Sequence, residues 1–124
     1  MLETVLYCTS SNESEVRRFY EETLGLEKHA FDFAYRIAPN QMLLVFNADQ
    51  TREQARPPAH GASGRGHMCF TTPSDRYDEW KRYLEGAGVE LTDELTWGSG
   101  KRSFYFEDPA GNVLEIADGD IWAG

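Results

Sequence analysis

Only two cysteines, Cys8 and Cys69, occur in the 124 residues. They are too few for a disulfide framework and fit a reducing cytoplasm. Long apolar runs are missing too: no stretch approaches the ~20 residues of a membrane span. Glu3 and Thr4 interrupt the apolar start of the chain, so no signal peptide is expected. Basic charge is scarce, with 12 Lys and Arg against 21 Asp and Glu for a net charge of −9. No basic stripe emerges, which argues against nucleic acid as a partner. What remains is 40% hydrophobic and 13% aromatic residues, the composition of a folded domain. A chain of this length buries one real core. The expectation is a single cytoplasmic domain with neither membrane nor nucleic acid as partner.

The chain reads as one pattern written twice. Leu2–Thr9 is strand-like, with Val5, Leu6, Tyr7 and Cys8 in a short run. A helix is expected from Asn12 to Leu24, with Asn12 as cap and Glu15 three residues on as in a capping box. Its apolar stripe is Val16, Phe19, Tyr20 and Leu24, and Gly25 stops it. Strands over 31–38 and 41–47 follow. The second half repeats the order: a strand over 66–72, a helix capped by Ser74 with Tyr77, Trp80, Leu84 and Ala87 on its stripe, and a stop at Gly88. The Phe104 and Val113 strands close it, joined by the turn Asp108-Pro109-Ala110-Gly111-Asn112. Glu3 and His67, and Gly25 and Gly88, lie at nearly the same offset. The fold class expected is α+β, two tandem βαβββ modules, the first about 1–48 and the second about 66–118. The Pro- and Gly-rich segment of about 49–65 reads as a linker.

Strand alternation then sorts side chains onto faces. Leu6 and Cys8, Met68 and Phe70, and Leu114 and Ile116 form apolar sets suited to packing under the helices. The opposite faces collect Glu3, His67 and Glu115, with Ser103 and Tyr105 from the neighbouring strand. An ionised carboxylate midway along an apolar strand, as at Glu115, costs several kcal/mol unless something positive or protic meets it. Two carboxylates and an imidazole on equivalent faces of three strands point to a metal ion. The bland alternatives are a satisfied histidine at a strand start, an inner-face carboxylate paired with Arg102, and a solvated Glu3. His60 reads as a loop residue, and Cys69 as a small apolar side chain. For Trp97 and Trp122, packing is the default.

Four segments carry a family resemblance: Glu3-Thr4-Val5-Leu6-Tyr7, Arg18-Phe19-Tyr20-Glu21-Glu22-Thr23-Leu24-Gly25-Leu26, Gly66-His67-Met68-Cys69-Phe70 and Tyr105 through Glu115. Together they resemble the vicinal oxygen chelate superfamily, the group of glyoxalase I, bleomycin resistance, fosfomycin resistance and extradiol dioxygenase proteins. The resemblance spans almost the whole chain. It implies paired modules whose sheets curl around a shared cavity, with a divalent metal on the inner face and a homodimer as the assembly. It also implies Glu3, His67 and Glu115 as the metal ligands. Leu44 falls at the register position equivalent to Glu115, where glyoxalase I has a fourth ligand, so a three-ligand site is expected.

Two functions follow. One is a metal-dependent lyase or isomerase acting on a small substrate with vicinal oxygens. In that reading Glu115 or Glu3 is the base, and Arg102, Ser103, Tyr105 and Tyr7 contact the substrate. The ion is Zn, Ni, Mn, Fe or Co, among which the residues do not choose. The other is a non-catalytic drug- or small-molecule-binding protein of the bleomycin resistance kind, which the acidic charge and the gap at Leu44 favour.

Overall fold

In the computed structural model, which describes residues 1–123, the chain forms two compact units. One is Met1–Gly66 with Asp108–Asn112. The other is His67–Glu107 with the chain from Val113 onward. The first contains β1 (Glu3–Cys8), α1 (Glu13–Arg18), β2 (Glu27–Lys28), β3 (Ala34–Ala38), β4 (Gln41–Asn47) and α2 (Ala48–Thr51). The second contains β5 (His67–Thr72), α3 (Tyr77–Gly86), β6 (Asp93–Thr96), β7 (Arg102–Glu107) and β8 (Val113–Asp118). Each unit carries a four-stranded mixed sheet, ordered β1-β4-β3-β2 and β5-β8-β7-β6. The fold is therefore α+β, as the sequence pattern implies. Among the described residues no helix is long and apolar enough to cross a membrane.

The repeat holds at the level of individual residues. β1 runs parallel to β4 with Glu3 opposite Met42 and Val5 opposite Leu44. β5 runs parallel to β8 with His67 opposite Val113 and Cys69 opposite Glu115. Glu3 and His67 are thus register equivalents, and so are Leu44 and Glu115.

In the first unit Leu6, Cys8, Val16, Tyr20, Tyr35, Leu43 and Val45 are buried. The rings of Tyr20 and Tyr35 stack with centroids 5.8 Å apart. In the second unit Tyr77 and Leu84 of α3 are buried, as are Phe104, Phe106, Leu114 and Ile116 of the sheet. Tyr77 meets Phe104 edge to face at 5.3 Å. Each such side chain withdrawn from water contributes about 1.5–3 kcal/mol, so each unit is held by its own apolar face.

The local departures have physical reasons. Instead of one helix over 12–24, α1 gives way to a π-helical turn at Phe19–Thr23, in which the Leu24 amide reaches back to the Phe19 carbonyl. The wider turn shifts the helix face, and the adjacent rings of Phe19 and Tyr20 both end up buried. Asn12 sits at the N-cap position but makes no side-chain cap. Its carboxamide oxygen accepts from the Thr9 amide at 2.9 Å instead. Ser74 does not cap α3 either, because a 3-10 turn at Ser74–Arg76 intervenes and the helix begins at Tyr77. Both predicted stops are correct: Gly25 and Gly88 have φ of 67° and 86°. That left-handed backbone lets the Leu26 and Val89 amides close onto the Tyr20 and Leu84 carbonyls.

The turn between β7 and β8 is a polar clip within the first unit. Oδ1 of buried Asp108 accepts from the amides of Ala110 and Asn112, and its Oδ2 accepts from the Tyr20 hydroxyl at 2.6 Å. Asn112 donates through Nδ2 to the Tyr7 carbonyl and accepts the Gly66 amide on Oδ1. The segment read as a linker begins with α2, whose N-cap is Asn47: its side chain accepts the Asp49 amide at 2.9 Å.

Candidate functional site

The second sheet assembles a polar cluster around Glu115. β8 lies between β5 and β7, so Glu115 has Cys69 as its register partner on one side and Tyr105 on the other. Its sequence neighbours Leu114 and Ile116 point to the opposite, apolar side and are buried. Glu115 itself is only 5% exposed. His67 opens β5 with its side chain 52% exposed, and its Nε2 stands 3.3 Å from Glu115 Oε1. The imidazole lies roughly parallel to the Tyr105 ring at 6.3 Å.

The electrostatics of this pair are unfinished. His67 Nδ1 is 3.0 Å from the Val113 carbonyl oxygen. A carbonyl only accepts, so the Nδ1 position carries the proton. In the neutral ring Nε2 is then a lone pair facing a carboxylate oxygen, and the two repel. The second carboxylate oxygen, Oε2, is buried with no hydrogen-bond partner. Leaving such a group unpaired costs about 1–3 kcal/mol, and more when it is charged. The pair therefore calls for positive charge, which either a proton on Nε2 or a metal ion supplies. Desolvation, followed by the Glu115 carboxylate, pushes both the Cys69 thiol and the Tyr105 hydroxyl up to about 12. Both groups thus keep their protons at neutral pH.

A divalent ion fits this donor set. An imidazole whose Nδ1 proton is anchored on a carbonyl presents Nε2 as a ligand, as metal-binding histidines usually do. Two donors about 2.1 Å from one ion stand about 3.0–3.4 Å apart, and the observed 3.3 Å lies in that range. Among the described residues no three His, Cys, Asp or Glu side chains gather into a metal-binding group. The structure brings His67 and Glu115 together, while Glu3 belongs to the first unit, exposed at the start of β1.

The expected substrate-binding residues divide. Tyr105 shares the row of Glu115. Ser103 is on the same face but fully buried, and its Oγ accepts the Trp97 indole N–H at 3.0 Å. Arg102 falls on the other side of β7, where its guanidinium lies 4.4 Å over the Tyr77 ring and 3.1 Å from Asp78. Tyr7 is in the first unit, its hydroxyl 2.7 Å from His60 Nδ1. His60, read from the sequence as a loop residue, is the functional candidate that pattern reasoning undervalues. The Tyr7 hydroxyl and the loop's path to it carry no periodic signal.

Two sheets of the same βαβ-type design, one of them carrying an imidazole beside a carboxylate, define a class. The chain belongs to the Glyoxalase/Bleomycin resistance protein/Dioxygenase superfamily, whose family model matches residues 11–116. Among individual relatives, virulence protein STM3117 of Salmonella typhimurium is 31% identical over 122 residues, covering 90% of this chain and 80% of that protein. Glutathione transferase FosA of Serratia marcescens is 29% identical over 109 residues, covering 85% and 72%. The crystal structure of lactoylglutathione lyase from Agrobacterium tumefaciens superposes with a TM-score of 0.87 at 31% identity, over 100% of this chain and 96% of that one.

Proposed function

We propose that this chain is a divalent-metal-dependent enzyme of lyase or isomerase type, acting on a small substrate with adjacent oxygens. The observation that carries the reading is the His67–Glu115 pair, with Nε2 held at 3.3 Å from Oε1 and Oε2 unpartnered. His67 and Glu115 would hold the ion. When bound, a divalent ion supplies Lewis-acid polarisation of two neighbouring oxygens.

The remaining chemistry belongs to the side chains. The Glu115 carboxylate, buried at the centre of this cluster, would take a proton from substrate and return it. Tyr105, which keeps its hydroxyl proton, would donate it to a substrate oxygen. Cys69 stays a neutral thiol on the opposite flank of Glu115, adding no competing anion to the site. Glu3 is the second candidate base.

The names of two relatives, a glutathione transferase and a lactoylglutathione lyase, make thiol adducts of small dicarbonyls the first substrates to try. We also propose a homodimer, which the family supports and native mass measures, and a cytoplasmic location. The test is elemental analysis of purified protein, then thermal unfolding with Zn, Ni, Mn, Fe and Co for wild type, His67→Ala and Glu115→Ala. One divalent ion per site, stabilisation that both substitutions abolish, and turnover of methylglyoxal with glutathione are expected. Wild-type protein that gains no stability from any of these ions would sink the reading.

A further inference from the structure

The first unit contains an open groove of 1120 Å³, separate in its residues from the His67–Glu115 pair. One wall is a run of rings. Phe31 and Phe33 stack almost parallel, 5.3 Å apart and 3° from coplanar orientation. Phe33 meets Phe46 at 4.9 Å, and Phe46 meets the His60 imidazole edge-on at 5.0 Å. The outermost ring, Phe31, is 62% exposed. A lone exposed phenylalanine needs no explanation, but one that continues into a ladder of rings along a concavity presents an unsatisfied apolar face. The ladder ends on polar groups: the His60 imidazole, bonded to the Tyr7 hydroxyl, and Thr51, whose buried hydroxyl has no partner.

The other wall sets the charge of the occupant. Arg17 is spent on the Val45 carbonyl at 2.6 Å and on Glu13 at 3.1 Å. Lys28 lies between Glu21 and Asp32 at 3.4 and 3.5 Å. Among the described lining residues, three carboxylates thus face two cations that are already paired. An incoming carboxylate or phosphate would find no free positive charge and an excess of negative charge.

We infer that this groove binds a planar aromatic molecule, uncharged or cationic, that stacks on Phe31 and Phe33 and turns its polar edge toward His60. Flat rings meet such a wall with offset-stacked or edge-on contacts, and a cation gains further from the ring faces. The site stands on the first unit alone and does not depend on metal binding.

Fluorescence titration of the full chain with 1-aminoanthracene, a neutral probe, and proflavine, a cationic one, tests the inference. Anthracene-2-sulfonate serves as the anionic comparator. Saturable binding of either of the first two at one per chain is expected, with the sulfonate at least about tenfold weaker. Phe31→Ala, at an exposed position that does not threaten folding, and the bulk-preserving Phe33→Leu each weaken binding by about tenfold. His67→Ala leaves binding unchanged, which separates this site from the metal reading. The inference is overturned if neither probe saturates, if both Phe variants bind as wild type does, or if the sulfonate binds equally well. It is overturned too if His67→Ala abolishes binding, or if Phe31→Ala changes only the native mass, marking the patch as a contact between copies.

Discussion

Replacing Glu115 by Gln sets two effects of opposite sign against each other, and the structure sizes both. Glu115 is 5% exposed and its Oε2 lacks any hydrogen-bond partner. An unpaired buried acceptor costs about 1–3 kcal/mol, with charge pushing toward the upper end. The contact of Oε1 with His67, a half-exposed side chain, offsets at most about 1 kcal/mol of that. In metal-free protein the neutral amide should therefore stabilise by about 1 kcal/mol, a rise in Tm of about 3–5 °C for a chain of this size. With metal the order reverses. An ion present at 100 times its dissociation constant stabilises the wild type by about 2.7 kcal/mol, and the amide forfeits most of that gain. Thermal unfolding of EDTA-treated protein, before and after adding each divalent ion, reads both halves on one sample. A variant that melts below wild type without metal, or gains as much from metal as wild type does, refutes the reasoning.

Tyr20→Phe removes a buried hydroxyl that donates to Asp108 Oδ2 at 2.6 Å. Urea unfolding should show a loss of about 1.5–3 kcal/mol, and a loss under 0.5 kcal/mol would mean the clip contributes nothing to stability. Leu44→Glu places an unpaired carboxylate at a position only 8% exposed. It should destabilise by several kcal/mol, and a soluble variant with unchanged Tm would contradict that. Burial raises the pKa of Cys8, Cys69, Tyr20, Tyr35 and Tyr105. The unfolded chain then ionises first as pH rises, so the stability these groups carry is complete below about pH 8.5 and falls from there toward 12. Denaturation midpoints that stay level from pH 8 to 11 would exclude this linkage. For Cys69, pushed up to about 12, alkylation by iodoacetamide should be slow at pH 8 and climb about tenfold per pH unit.

Much of the fold is legible in the chain because burial is one-sided. The apolar run Met42-Leu43-Leu44-Val45-Phe46 and the turn chemistry of Pro39-Asn40 locate β4 to the residue, and the same kind of reading locates β1 and β5 to within one. β2 and β6 escape the same reasoning. All four residues of β6 are exposed, so backbone pairing with β7, not an apolar face, makes it a strand. Capping by Asn12 fails for a related reason: its side chain had a nearer amide, that of Thr9, and local geometry decided between them. At the site, alternation correctly puts Glu115, Tyr105 and His67 on one side of a sheet. The same rule places Arg102 with Phe104 on the other, so its aromatic and acidic partners on the helix side follow from parity. His60 was not accessible to any periodic rule. Its place depends on a loop tied down by its own amide bonding to the Thr51 carbonyl.

The duplicated register supplies an internal control for what Glu115 is doing. Leu44 occupies the equivalent position in the first sheet, pairs in the same way with its parallel neighbour, and is likewise buried. The sheet architecture therefore accepts a hydrophobe there, and packing alone gives no reason for a carboxylate. Glu115 is instead flanked by a histidine whose outer nitrogen faces it and by a thiol and a phenol that keep their protons. A buried carboxylate with one oxygen left unpartnered and a leucine as its structural twin supports the proposed role of Glu115 in holding an ion. The first sheet, lacking that carboxylate, has a ladder of rings beside a groove whose cations are already paired.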